Sequence, residues 1–203
     1  MSVFHRSERL LLRPVWPEDW RGILAGIAEQ AIVRNLSRAP WPYREDDARA
    51  FANLPSEPLH PRFVMTRAAD ACVVGCIGIG PVDEESEEPS QALELGYWIA
   101  REHWSQGYAT EAGRAVIAIA QTLGHRRLVA SHFKDNPASG RVLQKLGFEQ
   151  TGRLVQRYSC GRGEEAMTIE YARDLGAERG DALCKRRTLA PRRTPDPTSR
   201  AAA

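Results

Sequence analysis

Three short stretches hold residues whose types and spacing could do chemistry. In "HWSQGYATEAG", residues 103–113, Gly107 separates an aromatic cluster from an alanine-rich segment. Ala112, Ala115, Val116 and Ile119 then fall at helical intervals, and Gly124 suits the helix end. The preceding "ALELGYWIA" alternates as a strand. Gly107 therefore stands where a strand hands over to a helix N-terminus. Unpaired N–H groups and the positive end of the helix dipole make such a terminus a phosphate site, and a residue without Cβ lets an anion reach the backbone. A plain packing turn would use the same glycine. No Gly-Lys-Ser/Thr follows, so this is not a Walker A loop, and "GCIGIG" lacks the order and the following helix of a dinucleotide fingerprint.

The second stretch is "DNPASGRVLQKLGF". Asn136 is a good N-cap, Pro137 suits the first helical position, and Gly147 suits the residue past the end with Phe148 packing back. Val142, Leu143 and Leu146 form the inward stripe, and counting back three and four residues reaches Ser139. A hydroxyl on that face can donate a proton, or can simply bond its own i−4 carbonyl. The third is Glu94. Period-two alternation puts Leu93, Leu95, Tyr97 and Ile99 on one face of the strand and Glu94, Gly96 and Trp98 on the other. A carboxylate beside Trp98 suits general-base work; a solvated strand face is the alternative.

These residues need a frame. The chain's 203 residues suffice for one domain with a real core, and balanced charge with ordinary apolar content describes a globular protein. No apolar run approaches the ~20 residues of a membrane span, and "MSVFHRSERLLLRP" lacks the apolar core of a secretory signal, so a cytoplasmic protein is expected. Residues 176–203 hold seven of the 28 basic and three of the 26 acidic side chains, leaving 21 against 23 for the rest. The basic character thus lies in a tail rich in Arg, Pro and Ala that reads as disordered, and no nucleic-acid-binding face is expected on the domain. Cys72 and Cys76 should share one face of a strand; with no second pair to match them, free buried thiols are expected and no metal site.

The order of elements fixes the fold class. "ERLLLRPV" reads as a strand, and "WPEDWRGILAGIAEQAIVRNL" as a helix. "EDDARAFANL" follows as a second helix, after the loop "SRAPWPY". Two strands flank a turn at residues 68–71, an acidic loop "DEESEEPS" comes next, and strand–helix–strand–helix leads to a final hairpin closed at "GRGE". This is a mixed α/β domain over residues 1–175 with part of its sheet parallel, followed by the tail 176–203.

Together, "ERLLLRPV…DW", "LELGYWIAREHWSQGYATEA" and "NPASGRVLQKLGFEQTG" resemble the GNAT superfamily of N-acetyltransferases, in particular its RimJ/RimL type. The resemblance runs from residue 7 to about 174. It implies a twisted, mostly antiparallel sheet flanked by helices, with central strands splayed to admit acetyl-CoA. The family's Gln/Arg-x-x-Gly-x-Gly/Ala loop falls on Trp104, Ser105, Gln106, Gly107, Tyr108 and Ala109, with Thr110 following; Trp104 departs from the first position. Backbone N–H groups of this loop would hold the pyrophosphate. The pantetheine arm would run beside Trp98 and Ile99, with Asn136 meeting it. A helix tyrosine often protonates the departing thiolate in this family; "LQKLGF" has none, and Ser139 matches the substitute. Glu94 would take the proton of a primary amine. Trp16, Trp41 and Tyr43 could line the acceptor pocket.

The implied activity is acetyl transfer from acetyl-CoA, without a metal, to a small-molecule amine or a peptide N-terminus. The protein would act as a monomer or homodimer, away from membranes. Two other readings stay open: a non-catalytic acyl-CoA-binding regulatory module, and an aminoacyl-tRNA acetyltransferase using the basic tail.

Overall fold

The computed structural model describes residues 3–82 and 92–176; the acidic loop and the tail from residue 177 lie outside them. The strands are β1 (His5–Arg6), β2 (Leu10–Pro14), β3 (Arg62–Arg67), β4 (Val73–Pro81), β5 (Leu93–Ile99), β6 (Arg127–Phe133), β7 (Glu149–Ser159) and β8 (Glu164–Asp174). The helices are α1 (Trp20–Ile27), α2 (Gln30–Val33), α3 (Glu45–Ala52), α4 (Tyr108–Thr122) and α5 (Pro137–Lys145). The strands form one sheet in the order β1-β2-β3-β4-β5-β6-β8-β7. Every neighbouring pair is antiparallel except β5 and β6, which α4 connects as a crossover. The expected mixed α/β class is the one found.

Alternation along the strands feeds two cores. Leu93, Leu95 and Ile99 of β5 pack with Leu10, Leu12, Ile77, Ile79, Val116 and Leu143 on the side of α4 and α5. Trp98 turns the other way, with Cys76, Ile23, Ile27 and Ala48 under α1 and α3. No helix among the described residues is long and apolar enough to cross a membrane.

Three local expectations change. The single helix expected after Pro14 is broken at Ala28 and Glu29, which leave helical geometry. Its buried residues explain the break: Ile23 and Ile27 are four apart, but Ile32 comes five later and Val33 directly after it, so no straight helix keeps them on one stripe. Nor do Cys72 and Cys76 share a strand face. Cys72 lies in the turn before β4, and the β3–β4 register skips Val74 opposite Met65 and Thr66, which breaks the period of two. Finally, the thiols are not uniformly hidden: Cys76 is buried, Cys72 half-buried and Cys160 exposed.

Candidate active site

The sheet opens at its centre. β5 and β6 pair only at Leu93 with Leu128 and Glu94 with Val129, and then diverge. β5 continues to Ile99 against β4 and β6 to Phe133 against β8, so the gap between them is a wedge with its apex at Glu94. Ala100 N–H bonds the Val74 carbonyl across to β4. By alternation, the backbone groups of Tyr97 and Ile99 face the wedge. The Ile99 carbonyl accepts the Trp104 indole N–H at 2.7 Å.

Each side of the wedge carries different chemistry. On the α1–α3 side stands Glu94. Its Oε1 accepts from Arg157 Nη1 at 2.9 Å and from Ser131 Oγ at 3.4 Å. Both of these contacts are made by Oε1. Gly80 pairs with Glu94 and Gly78 with Gly96. A Cβ on Gly80 or Gly96 would meet nothing among the described residues within 4 Å, so among these the floor beside Glu94 is open.

On the opposite side, Tyr97 Oη and Ser139 Oγ share a hydrogen bond of 2.8 Å, which spans from β5 to α5. Ser139 thus engages a partner across the gap rather than its own i−4 carbonyl. Burial pushes the Tyr97 phenol up to about 12, with the Ser139 contact acting weakly the other way, so it stays protonated at neutral pH. Asn136 caps α5 by accepting the Ser139 N–H at 3.4 Å, Pro137 opens the helix, and Gly147 takes a left-handed φ of 74° after it.

The loop between β5 and α4 is built around two left-handed residues, Ser105 at φ 59° and Gly107 at φ 82°, the latter capping α4. Left-handed residues just before a helix turn successive N–H groups into a concavity that fits anions. Trp104, Ser105, Gln106 and Gly107 are exposed, Ala109 is half-buried, and Tyr108 and Thr110 are buried; any contact with a ligand from those last two is through backbone. Arg9 pins the loop from β1–β2: Nη1 donates to the Gln106 carbonyl at 3.0 Å, Nε donates to Glu111 at 2.8 Å, and the guanidinium lies 4.5 Å above the Tyr108 ring. Glu111 also accepts from Ser7 Oγ and the Arg9 N–H. These bonds hold its carboxyl below the usual range against the opposing effect of burial.

A parallel strand pair splayed beyond two residues, with a helix-cap anion loop beside it, is a recognisable architecture, and residues 9–149 match the acetyltransferase (GNAT) domain family. The chain belongs to the GNAT acetyltransferase family. It is therefore an acetyl-CoA-dependent N-acetyltransferase. This GNAT enzyme is 30% identical over 170 residues to the uncharacterized N-acetyltransferase YoaA of Bacillus subtilis, covering 82% of this chain and 93% of that one. Over 102 residues it is 31% identical to the ribosomal-protein-serine acetyltransferase of Escherichia coli, which covers 49% of this chain and 56% of that one. The GNAT-family acetyltransferase from Bacillus anthracis superposes with a TM-score of 0.71 at 22% identity, covering 85% of this chain and 99% of that one. The microcin C7 self-immunity acetyltransferase MccE, solved with acetyl-CoA and AMP, superposes at 0.67 and 15% identity, covering 83% and 93%. These structural likenesses show the fold.

The GNAT wedge brings together Glu94, Trp98, Ile99 and Ser139, with Asn136 at the start of α5. The three aromatic residues expected of an acceptor pocket differ in their surroundings. Tyr43 is buried among α1 and α3 side chains. Trp16 is exposed, with Arg13 stacked on it at 4.2 Å and Phe4 at its edge. Trp41, also exposed, precedes a cis proline. Sequence reasoning missed Tyr97, Arg157 and Arg9. Tyr97 sat on an apolar face and read as core; Arg157 and Arg9 act across 63 and 102 positions of sequence, where no spacing rule reaches.

Proposed function

We propose that this enzyme is of the RimJ/RimL type and moves the acetyl group of acetyl-CoA to a primary amine, either a protein N-terminus or a small-molecule amine. The observation that carries the reading is the wedge with unlike sides: a hydroxyl pair on the face toward α4 and α5, a carboxylate above an open glycine floor on the other. The N–H groups from Ser105 to Thr110 hold the pyrophosphate, with Trp104 opening the loop, and the edge of β5 near Trp98 and Ile99 holds the arm, which Asn136 meets. The E. coli relative named for a ribosomal protein and the acetyl-CoA bound to MccE support the acceptor and donor classes.

Chemistry follows from the two faces. The amine enters over Gly80 and Gly96 and loses a proton to Glu94, directly or through water. Its nitrogen attacks the thioester carbon, and the N–H of Tyr97 or Ile99 holds the developing oxyanion. As the intermediate collapses its nitrogen releases a second proton to solvent, the C–S bond breaks and Ser139 gives its proton to the sulfur; Ser139 is resupplied by the Tyr97 phenol, which takes a proton back from solvent. Positioning contributes most, because a thioester already reacts with a neutral amine. The enzyme works in the cytoplasm as a monomer or homodimer.

The test is thiol release from acetyl-CoA across peptides with free N-termini, amino acids, polyamines and aminoglycosides. Turnover confined to one class names the acceptor. Tight acetyl-CoA binding with no turnover on any amine overturns the reading in favour of a non-catalytic binding module.

A further inference from the structure

One residue before the anion loop, and apart from the acetyl-transfer chemistry, three side chains of different kinds converge. Cys72 comes from the turn before β4, and Glu102 and His103 from the 3₁₀ turn (Arg101–His103) after β5. One ligand atom from each lies within 4.8 Å of the other two. Cys72 Sγ is 3.8 Å from His103 Nε2, and Glu102 Oε1 is 3.2 Å from the same nitrogen.

These separations can be set against a metal ion. With Zn–S near ~2.3 Å and Zn–N or Zn–O near ~2.0–2.1 Å, tetrahedral angles put sulfur and nitrogen about 3.6 Å apart and nitrogen and oxygen about 3.3 Å apart. Both observed distances agree to within about 0.2 Å. Mobility is graded in a way that suits capture. The His103 side chain is 7% exposed and held edge-on to Tyr108, whereas Glu102 is 72% exposed and free to swing its carboxylate inward. A thiolate with an imidazole selects zinc over magnesium or calcium. The sequence argued against zinc because no second cysteine pair matches Cys72 and Cys76; here the other ligands are a glutamate and a histidine from a turn thirty residues on.

We propose that Cys72, Glu102 and His103 form a zinc site with three protein ligands and one open position. Bound zinc ties the β3–β4 turn to the segment that leads into Trp104–Ala109, and so adds a second anchor to the loop that Arg9 holds.

The experiment uses the full-length chain, stripped with chelator, carrying Cys160→Ser and Cys184→Ser, so that buried Cys76 is the one thiol besides Cys72. Cobalt is titrated by thiolate-to-metal absorption and zinc by calorimetry. The expected result is one ion per chain, a cobalt–thiolate band, and at least tenfold weaker zinc binding in Cys72→Ala and in His103→Gln. At zinc a hundredfold above its dissociation constant, Tm should rise by about 5 °C. Cys72 is half-buried, so Cys72→Ala carries the comparison if His103→Gln does not fold. Absence of stoichiometric binding, or binding unchanged in folded Cys72→Ala, overturns the site and leaves a plain hydrogen-bonded cluster. Neither readout depends on acetyl transfer.

Discussion

At the scale of single residues, the sharpest contrast is between Gly96 and Ser139. Gly96 is an exposed glycine in the middle of a central strand, where a side chain would meet nothing among the described residues within 4 Å. Strand propensity alone favours replacing it. Gly96→Val should therefore keep or raise stability, by up to about 1 kcal/mol, while raising the KM for the amine at least tenfold and leaving acetyl-CoA affinity unchanged. An unaltered acceptor KM in the folded variant would remove the glycine floor from the acceptor path. Ser139→Ala should lower kcat by ~10²-fold, in the range of general acid catalysis, with little change in acetyl-CoA binding. If Tyr97 works through Ser139, Tyr97→Phe should add little on top of Ser139→Ala, and a fully additive double variant would separate the two. Glu94→Gln should lose rate chiefly at low pH and recover part of it at high pH, where free amine is abundant; a pH profile that overlays the parent's would remove Glu94 from the mechanism.

At the scale of elements, much was legible because local rules and tertiary context agree. α5 carries its own N-cap, opening proline and closing glycine, so its limits could be read from Asn136, Pro137 and Gly147 alone. β5 displays its two faces in its alternation. What escaped needed contacts distant in sequence: the Arg157–Glu94 pair, the Tyr97–Ser139 link, and the bulge at Val74 that puts Cys72 beside His103 instead of Cys76. The loop before α4 was legible as a strand-to-helix junction turning on Gly107, but not its anchoring by Arg9. Gly107 tests that loop. A Cβ there would touch only Arg9 Nη2, at an ordinary 3.6 Å, so the protein offers it room, but φ of 82° opposes a β-branched residue. Gly107→Val should lower Tm by several degrees and weaken acetyl-CoA binding at least tenfold. Gly107→Asn, which tolerates the left-handed region, should recover most of the Tm while binding stays weak. Full recovery of binding in the asparagine variant would show that backbone shape alone, and not access, accounts for the glycine.

At the scale of the whole molecule, buried acids set the alkaline limit. Burial is the first cause that lifts the phenols of Tyr43 and Tyr97 to about 12 and raises the Cys76 thiol as well. Below the pH at which these groups ionise in the unfolded chain, about 9 for the thiol and about 10 for the phenols, they are neutral in both states and stability is unaffected. Above it the unfolded chain ionises first, and stability drains away until the folded values are reached. Tm should fall steadily between about pH 9 and 12, and Tyr97→Phe should remove roughly 2–3 kcal/mol of that loss; a flat profile would mean that these groups reach water in the fold. Among the described residues the last buried anchor is Leu175, whose N–H bonds the Arg126 carbonyl and whose carbonyl accepts from Gln121. Ending the chain after Leu175 should shift Tm by no more than a few degrees, and a larger drop would show that residues 176–203 belong to the folded unit. The wedge itself bears on association. A sheet's unpaired strand edges invite pairing with other chains and usually lie at its margins, where bulges, charges or short strands must guard them. Here two further bare edges are carried between β5 and β6, beneath helices on both faces and with the Tyr97–Ser139 bridge across them. The backbone best able to recruit a foreign strand is thereby held inside the sheet, away from the margins where a folded neighbour would meet it.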